Sequence, residues 1–224
     1  MTARAGPRQL ALDLPHTTSF ARDDFLAGPS NQAALALVER WPDWPGQVVA
    51  LVGPEGSGKS HLAAIWANAS GARFLSARAL AGAQLPAALA TGALVIEDLA
   101  ETGVDERALF HLINLAREQG AYVLLTARRA PAEHDTKLAD LASRLRALPV
   151  VRLSTPDDTL LRSVLIKLFA DRQLTVDEGL VAYLVSRLER SFAAARTAVE
   201  TLDREALRLK RPVTRTLAAE VLQT

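Results

Sequence analysis

The residues best suited by type and spacing to bind a ligand lie in one glycine-rich run in the first third of the chain. In order, this run consists of Gly53, Pro54, Glu55, Gly56, Ser57, Gly58, Lys59 and Ser60, with His61 next. It fits the phosphate-binding pattern G-x-x-x-x-G-K-[ST], in which glycines let the backbone aim successive N–H groups at phosphate oxygens. Lys59 would contact the β- and γ-phosphates of a nucleotide, and the Ser60 hydroxyl would bind Mg²⁺. We therefore predict a nucleotide site in this run, hereafter the P-loop (Gly53–Ser60).

Two adjacent carboxylates form the second candidate set. Glu97 and Asp98 follow the continuous apolar run 93–96, which is typical of a buried strand in a parallel sheet. One acid at the end of such a strand positions Mg²⁺ or its water, and its neighbour can orient the attacking water. The usual first acid is Asp, so the longer Glu97 is an unusual candidate for the Mg²⁺ group. A solvated acidic pair at an ordinary strand end is the alternative.

The next strand-like run ends in a polar residue. Thr126 closes the run 121–126, and Arg128 follows two residues later. P-loop ATPases often carry a γ-phosphate sensor at this point, so Thr126 and Arg128 are both sensor candidates. A strand that simply ends in a basic turn explains the same residues equally well.

Runs that could form buried strands alternate with helical patterns along the first two thirds of the chain. The strand-like runs cover 47–52, 93–96, 121–126 and 150–153, and the helical patterns between them cover 61–69 and 106–118. A further helical pattern, 29–41, precedes the first strand and has Ser30 or Asn31 as its cap. This alternation predicts βαβ units and a parallel sheet.

After Pro156 the pattern changes to helices alone. Four amphipathic segments follow, at 157–171, 177–190, 191–210 and 213–222. We expect three regions: an extended arm over residues 1–19, a nucleotide-binding α/β domain over 20–154 and a small all-helical domain over 155–224.

Composition excludes several classes of protein. Of the 224 residues, 49% are hydrophobic and 23% are charged. The hydrophobic fraction is large enough to form a buried core, and this composition is not typical of a disordered chain. The chain has no cysteine, which rules out thiol catalysis and cysteine-ligated metals. A net charge of +1 argues against a surface given over to nucleic acid. Because no apolar run could span a membrane and no signal peptide is apparent, we expect a cytoplasmic protein without membrane contact.

The order of these motifs resembles that of AAA+ ATPases: P-loop, acidic strand, polar strand end, arginine-bearing helix and helical lid. Within that group the chain resembles the DnaA replication initiator family and, more closely, the Hda family of DnaA-related regulators. The likeness covers residues 9–222, and three passages carry it besides the P-loop and the acidic strand. They are the segment with Phe20, Phe25, Gly28, Pro29, Ser30 and Asn31, the box Asp140–Leu145, and the run Arg187–Arg190.

The resemblance implies a fold, a cofactor and a mechanism. The fold would be that of an α/β AAA+ P-loop NTPase, with a parallel sheet flanked by helices and a small helical lid domain. The cofactor would be ATP or ADP with Mg²⁺, and the segment around Phe25 would lie near the adenine. Arg144 of the Asp140–Leu145 box would reach a nucleotide on a neighbouring subunit as an arginine finger. Glu97, Asp98 and Arg144 are therefore the catalytic candidates.

Two departures from the initiator pattern bear on activity. A sensor arginine closely follows the run Arg187–Arg190 in the initiator family, whereas alignment places Ala193 there, and Arg196 is the substitute candidate. The initiator's long helical insertion, used on single-stranded DNA, is replaced by the short Ala-rich stretch 75–92. No helix-turn-helix pattern follows the last helix. We expect weak ATP hydrolysis by the chain itself and no sequence-specific DNA binding.

The arm contains a possible docking peptide. Gln9, Leu10, Leu12 and Leu14 resemble the Q-L-x-L-x-[LF] peptide by which replication proteins bind the β sliding clamp. An extended peptide of this kind buries alternate leucines, while the glutamine amide fixes its register. Each buried leucine contributes about 1.5–3 kcal/mol, so three of them predict a micromolar contact once the arm is ordered. A leucine-bearing tail folded onto its own domain is the alternative.

The motifs together predict an Hda-like regulator that stimulates hydrolysis of DnaA-bound ATP. Its expected partners are the β sliding clamp and the DnaA initiator, and self-association is left open. A helicase loader or DNA-remodelling AAA+ ATPase is the first alternative, and a P-loop small-molecule kinase is the second. One basic set near the C-terminus is interleaved with acids, which is more typical of a solvated face than of a DNA contact. Its members are Arg204, Arg208, Lys210, Arg211 and Arg215.

Overall fold

The computed structural model describes residues 20–99 and 103–222. Five strands form one sheet, in which every neighbouring pair is parallel and the order is β2-β3-β4-β1-β5. They are β1 (Val48–Val52), β2 (Arg73–Ser76), β3 (Ala93–Leu99), β4 (Tyr122–Ala127) and β5 (Val150–Arg152). Because the strands are parallel, their carboxyl ends share one edge, which brings together the residues that follow β1, β3 and β4.

Helices connect the strands and then continue alone. In the described residues they are α1 (Gln32–Glu39), α2 (Lys59–Ser70), α3 (Leu85–Ala88), α4 (Glu106–Gln119), α5 (Ala139–Arg146), α6 (Asp158–Asp171), α7 (Glu178–Arg187), α8 (Phe192–Leu209) and α9 (Arg215–Val221). Side-chain caps fix where five of them begin. Asp105, Asp157, Asp177, Ser191 and Thr214 each accept a hydrogen bond from the N–H group three residues later. We call α6–α9 the lid helices.

Alternate residues of the strands face two apolar layers. Val49 and Leu51 of β1 pack with α1 and α2, whereas Ala50 and Val52 pack with α4 and α5. The lid helices have a separate core around Phe169. The sheet is therefore covered on both faces, which explains why β1 reads as a continuous apolar run.

The strands and helices predicted from periodicity are present, although β2, α3 and α5 were not among them. The strands predicted at 47–52, 93–96, 121–126 and 150–153 are β1, β3, β4 and β5, and the four helices predicted after Pro156 are α6–α9. The strand β2 was missed. It lies at an edge of the sheet and its residues are mostly exposed, so it lacks the apolar run that marks a buried strand.

The start of α1 also differs from the prediction. Asn31 is its N-cap residue, but its side chain makes no capping hydrogen bond. Instead, Asn31 Oδ1 accepts from the N–H of Gly28 at 2.8 Å and Nδ2 donates to the carbonyl of Leu26 at 3.0 Å. The amide thus fixes the segment before the helix, residues 20–31, which we call the connector. Among the described residues, no helix is long and apolar enough to cross a membrane.

Candidate functional site

The P-loop joins β1 to α2, and its glycines are required by its shape. A Cβ added at Gly53 would lie 2.5 Å from the carbonyl oxygen of Leu153, so no larger residue fits there. Gly56 and Gly58 have φ angles of +70° and +98°, which only glycine adopts readily. The N–H of Gly53 donates to the carbonyl of Ala127 at 3.1 Å, which ties the loop to the end of β4. The loop is therefore a close-packed cradle set at the carboxyl edge of the sheet.

Lys59 occupies the centre of this cradle. Its side chain is buried, and its Nζ donates to the carbonyl oxygens of Gly53 at 2.8 Å and Pro54 at 2.7 Å. Burial lowers the pKa of Lys59, and the negative charge of Asp98 is the strongest influence in the opposite direction. The ammonium is thus held by loop carbonyls, with the Asp98 carboxylate as the neighbouring counter-charge.

Asp98 owes its position to an irregularity in β3. The register between β3 and β4 shifts between Ile96 and Leu99, and Asp98 has a φ angle of +53°. The buried Thr126 hydroxyl accepts a hydrogen bond from the Asp98 N–H at 3.2 Å. Thr126, a sensor candidate, therefore supports the backbone of the acid. Glu97 remains in regular pairing opposite Ser76 of β2 and is half-buried.

Arg128 contacts the P-loop from the end of β4. It forms an ion pair with Glu55, at 2.7 Å between Arg128 Nη2 and Glu55 Oε2, and both side chains are exposed. Its positive charge also reaches Lys59, because it contributes to lowering the pKa of that ammonium. The structure thus brings Arg128, Lys59 and Asp98 together around the loop. The role of Arg128 as a sensor stays a prediction.

The lid helices contact the P-loop through the first turn of α8. The N–H of Phe192 donates to the carbonyl oxygen of Gly56 at 2.9 Å. A Cβ added at Gly56 would lie 2.8 Å from Ser191 Cβ and 3.2 Å from Ala193 Cβ. Ala193, where alignment placed the sensor, therefore packs directly against the loop. The resemblance to the initiator family placed position 193 near the nucleotide, but helical periodicity alone does not show which surface this face of α8 contacts.

Two arginines near this contact have other partners. Arg190 precedes the Ser191 cap of α8 and pairs with Asp158 of α6 at 2.9 Å. Arg196, the substitute sensor candidate, has its guanidinium carbon 5.8 Å from the centre of the Phe20 ring. The structure therefore places Arg196 against the connector.

The connector meets α2 at His61, directly after the P-loop. The rings of Phe20 and Phe25 lie edge-on to the imidazole, with centroids at 5.2 Å and 5.1 Å, and His61 Nε2 donates to the Ala21 carbonyl at 3.1 Å. Burial lowers the pKa of His61, the Ala21 contact opposes this shift, and the charge of Arg196 adds to it. His61 thus stays neutral as the centre of an aromatic cluster that fixes the connector beside the P-loop.

Arg144 lies apart from this assembly, in the last turn of α5. It is half-buried, and its guanidinium forms no ion pair or hydrogen bond with the described residues. The residues of the predicted clamp-docking peptide, Gln9, Leu10, Leu12 and Leu14, fall outside the described residues.

The residues of the P-loop fit a nucleotide phosphate. The buried Ser57 hydroxyl of the loop has no hydrogen-bond partner among the described residues, so it is available as a donor to a phosphate oxygen. Ser60 is exposed in the first turn of α2, where its hydroxyl is free to bind Mg²⁺ together with a carboxylate of the β3 end. The helix α2 adds its positive end to the same place.

Solved structures of similar architecture identify the fold. Domain III of the replication initiation protein DnaA from Thermotoga maritima superimposes with a TM-score of 0.77 at 19% identity, covering 94% of this chain and 98% of that one. The chain has the AAA+ fold. No protein-family model matches it.

Two further structures share the AAA+ fold at lower similarity. DnaA from Aquifex aeolicus bound to AMPPCP gives a TM-score of 0.70 at 15% identity, covering 86% of this chain and 67% of that one. The RuvB Holliday junction branch migration motor of Thermotoga maritima gives 0.70 at 16% identity, covering 92% and 72%. At these identities the comparisons establish the fold alone.

Proposed function

We propose that this chain is a DnaA-related regulator of replication initiation, similar to the Hda family. It binds an adenine nucleotide at the P-loop, docks on the β sliding clamp through Gln9–Leu14, and stimulates hydrolysis of ATP bound to DnaA through Arg144. The observation that carries the proposal is a complete phosphate cradle, Gly53–Ser60, closed by α8 of the lid helices on an AAA+ fold similar to that of DnaA domain III.

The nucleotide part rests on the geometry of the cradle. Lys59, Ser60 and the loop amides supply the positive charge, the Mg²⁺ hydroxyl and the donors that phosphates need. The connector and α8 lie on either side of Gly58, because a Cβ added there would contact the rings of Phe25 and Phe192 at 3.4 Å. A DnaA of similar fold was solved with AMPPCP, which supports an adenine nucleotide as the ligand.

The regulatory part rests on Arg144. A guanidinium that enters a partner's site neutralises the negative charge that develops on the transferring γ-phosphate, and a finger supplied in trans contributes about 10³–10⁵ in rate. Arg144 suits this role because it is unpaired in the described structure and occupies the S-R-L box that resembles the finger box of the initiator family. In the chain's own site, Lys59 and Asp98 would orient the phosphates, and weak hydrolysis is expected there.

A single substitution tests the regulatory part. Arg144→Ala should abolish the stimulated turnover of DnaA-bound ATP in the presence of clamp and DNA, with a loss of at least about 10³. Nucleotide and clamp binding by the variant should stay unchanged. Arg146→Ala is the matched control, since Arg146 is an exposed arginine one half-turn further along α5. Full stimulation by the Arg144 variant would show that another group acts as the finger.

A DNA-remodelling AAA+ motor is the second candidate, favoured by the similarity to RuvB. A motor of that kind must hydrolyse its own ATP, and DNA should accelerate that hydrolysis. The discriminating measurement is ATP turnover by the chain alone, with and without DNA. A regulator gives low turnover under both conditions, whereas a motor gives turnover that rises with DNA.

A further inference from the structure

Two exposed arginines converge on one aromatic ring among the lid helices. The guanidinium carbon of Arg187, at the end of α7, lies 5.3 Å from the centroid of the Tyr183 ring, and that of Arg215, at the start of α9, lies 5.5 Å from it. Cation–π attraction holds each guanidinium against the face of the ring. The two charges are therefore anchored to one rigid platform, with their carbons no more than about 11 Å apart.

Two of the neighbouring arginines have acidic partners, whereas Arg187 and Arg215 have none among the described residues. Arg208 pairs with Glu205 at 2.7 Å, and Arg211 pairs with Glu220 at 2.9 Å. Within the described residues, neither Arg187 nor Arg215 forms an ion pair. Two like charges held close without a counter-ion repel each other, and an external anion would relieve that repulsion. Arg187 and Arg215 thus combine two uncompensated charges on one ring, which suits an anionic ligand, whereas Arg208 and Arg211 are already neutralised.

We propose that Arg187, Tyr183 and Arg215 form a contact for the phosphate backbone of duplex DNA. Guanidinium and phenol groups are typical donors to phosphate oxygens. Duplex DNA carries one negative charge per about 1.7 Å of its axis, so a single duplex can place a phosphate against each of the two guanidiniums. An acidic peptide has more widely spaced carboxylates and is less well suited to neutralise both charges. The contact reads no bases and is therefore independent of sequence.

This assignment divides the basic set that the sequence suggested. Arg208 and Arg211 are neutralised within the molecule, as expected for a solvated face. Arg215 belongs instead to the DNA contact, and its companion Arg187 comes from a different helix that the sequence did not group with it. The inference stands apart from the proposed function, because it needs neither clamp nor DnaA.

The salt dependence of DNA binding tests the contact. The full chain is titrated against a fluorescently labelled duplex of mixed sequence, and anisotropy is followed over about 50 to 200 mM salt. Each lost phosphate contact lowers the slope of log K against log salt by about 0.9. We expect this decrease for Arg187→Gln and for Arg215→Gln, about 1.8 for the double variant, and an affinity loss of about tenfold per residue near 0.1 M salt.

Matched variants separate this contact from general loss of charge. Arg208→Gln and Arg211→Gln remove the same charge from paired residues and should leave the slope nearly unchanged. Arg187→Lys and Arg215→Lys keep the charge and should restore it, and nucleotide binding reports that each variant is folded. Equal slopes for all variants would overturn the proposal, as would a wild-type chain that polyglutamate binds in preference to the duplex.

Discussion

At the scale of single residues, charge and backbone conformation define the nucleotide site. Lys59 is held among loop carbonyls, and Asp98 is turned towards it by a left-handed backbone that the Thr126 hydroxyl supports. A non-glycine residue in that conformation costs about 1–2 kcal/mol, which other contacts must offset. The strain lies at the strand end from which a carboxylate would act on phosphate or Mg²⁺.

Removing the Lys59 ammonium should weaken nucleotide binding strongly. Lys59→Ala deletes the charge-assisted contacts to the β- and γ-phosphates, each worth about 1.5–3 kcal/mol, so the affinity for ATP and ADP should fall by at least about tenfold to a hundredfold. Calorimetric titration measures the change, and Lys137→Ala, which alters an exposed lysine, is the control. Wild-type affinity in the Lys59 variant would exclude the P-loop as the nucleotide site.

His61 makes the stability of the fold dependent on pH in a defined direction. Burial lowers its folded-state pKa below the ordinary value of 6.5, so the unfolded chain takes up the proton first on acidification. The stabilisation from neutral His61 is therefore complete above about pH 6.5 and is lost as the pH falls below it. His61→Gln keeps a donor for Ala21 but does not titrate.

Urea unfolding at about pH 7.5 and about pH 5.5 tests this expectation. The wild-type chain should lose more unfolding free energy on acidification than His61→Gln. An identical loss in both proteins would mean that other groups account for the pH dependence.

At the scale of elements, the principal contact is that of α8 with the P-loop. Gly56 combines a positive φ angle with a close approach of Ser191, so it serves both the loop conformation and the docking of the lid helices. The same close approach explains why a small residue, Ala193, stands beside Gly56. An arginine there would have to leave the loop surface.

Gly56→Ala should weaken both functions of this glycine. The positive φ angle alone costs about 1–2 kcal/mol, and the added Cβ, 2.8 Å from Ser191 Cβ, forces α8 away and reduces nucleotide affinity. Gly71→Ala is a matched control, because Gly71 has a φ angle of +71° with no heavy atom within 4 Å of its added Cβ. Thermal melting should show a loss in both variants, and calorimetry should show a nucleotide defect only for Gly56→Ala. Equal nucleotide affinities would argue against a role of this contact in binding.

The strands and helices differ in how well the sequence predicted them. The buried strands and the amphipathic lid helices follow from periodicity, and the P-loop follows from its motif, because local pattern determines them. The exposed edge strand β2 carries no such pattern. The contact of Ser191 with Gly56 and the convergence of Arg187 and Arg215 on Tyr183 depend on how the helices pack, and local sequence patterns do not encode that packing.

At the scale of the whole molecule, the connector joins the sheet to the lid helices. Asp24 pairs with Lys167 of α6 at 2.8 Å, Phe20 lies beneath Arg196 of α8, and His61 of α2 holds the Ala21 carbonyl. The predicted docking peptide therefore lies, in the sequence, only a few residues before a segment that is anchored on both sides of the nucleotide site.

Clamp binding should be separable from nucleotide binding. Deleting residues 1–15 removes the docking peptide but leaves the connector contacts, which begin at Phe20. Clamp affinity should be lost, whereas ATP affinity and melting temperature should be retained. The full-length triple variant Gln9→Ala, Leu10→Ala, Leu12→Ala should behave in the same way, since it removes the register amide and two buried leucines. Unchanged clamp affinity after truncation would refute the docking hypothesis.

The hydrogen bond from Phe192 to Gly56 has a consequence for exchange with deuterated solvent. The first amides of a helix have no acceptor inside it, and the Ser191 side chain caps Ala194, so the Phe192 amide owes its protection to the P-loop carbonyl. Such an amide exchanges only when its bond opens. The exchange rate of the Phe192 amide therefore measures how often α8 separates from the loop. A slower exchange after ADP or ATP is added would show that the nucleotide stabilises the contact.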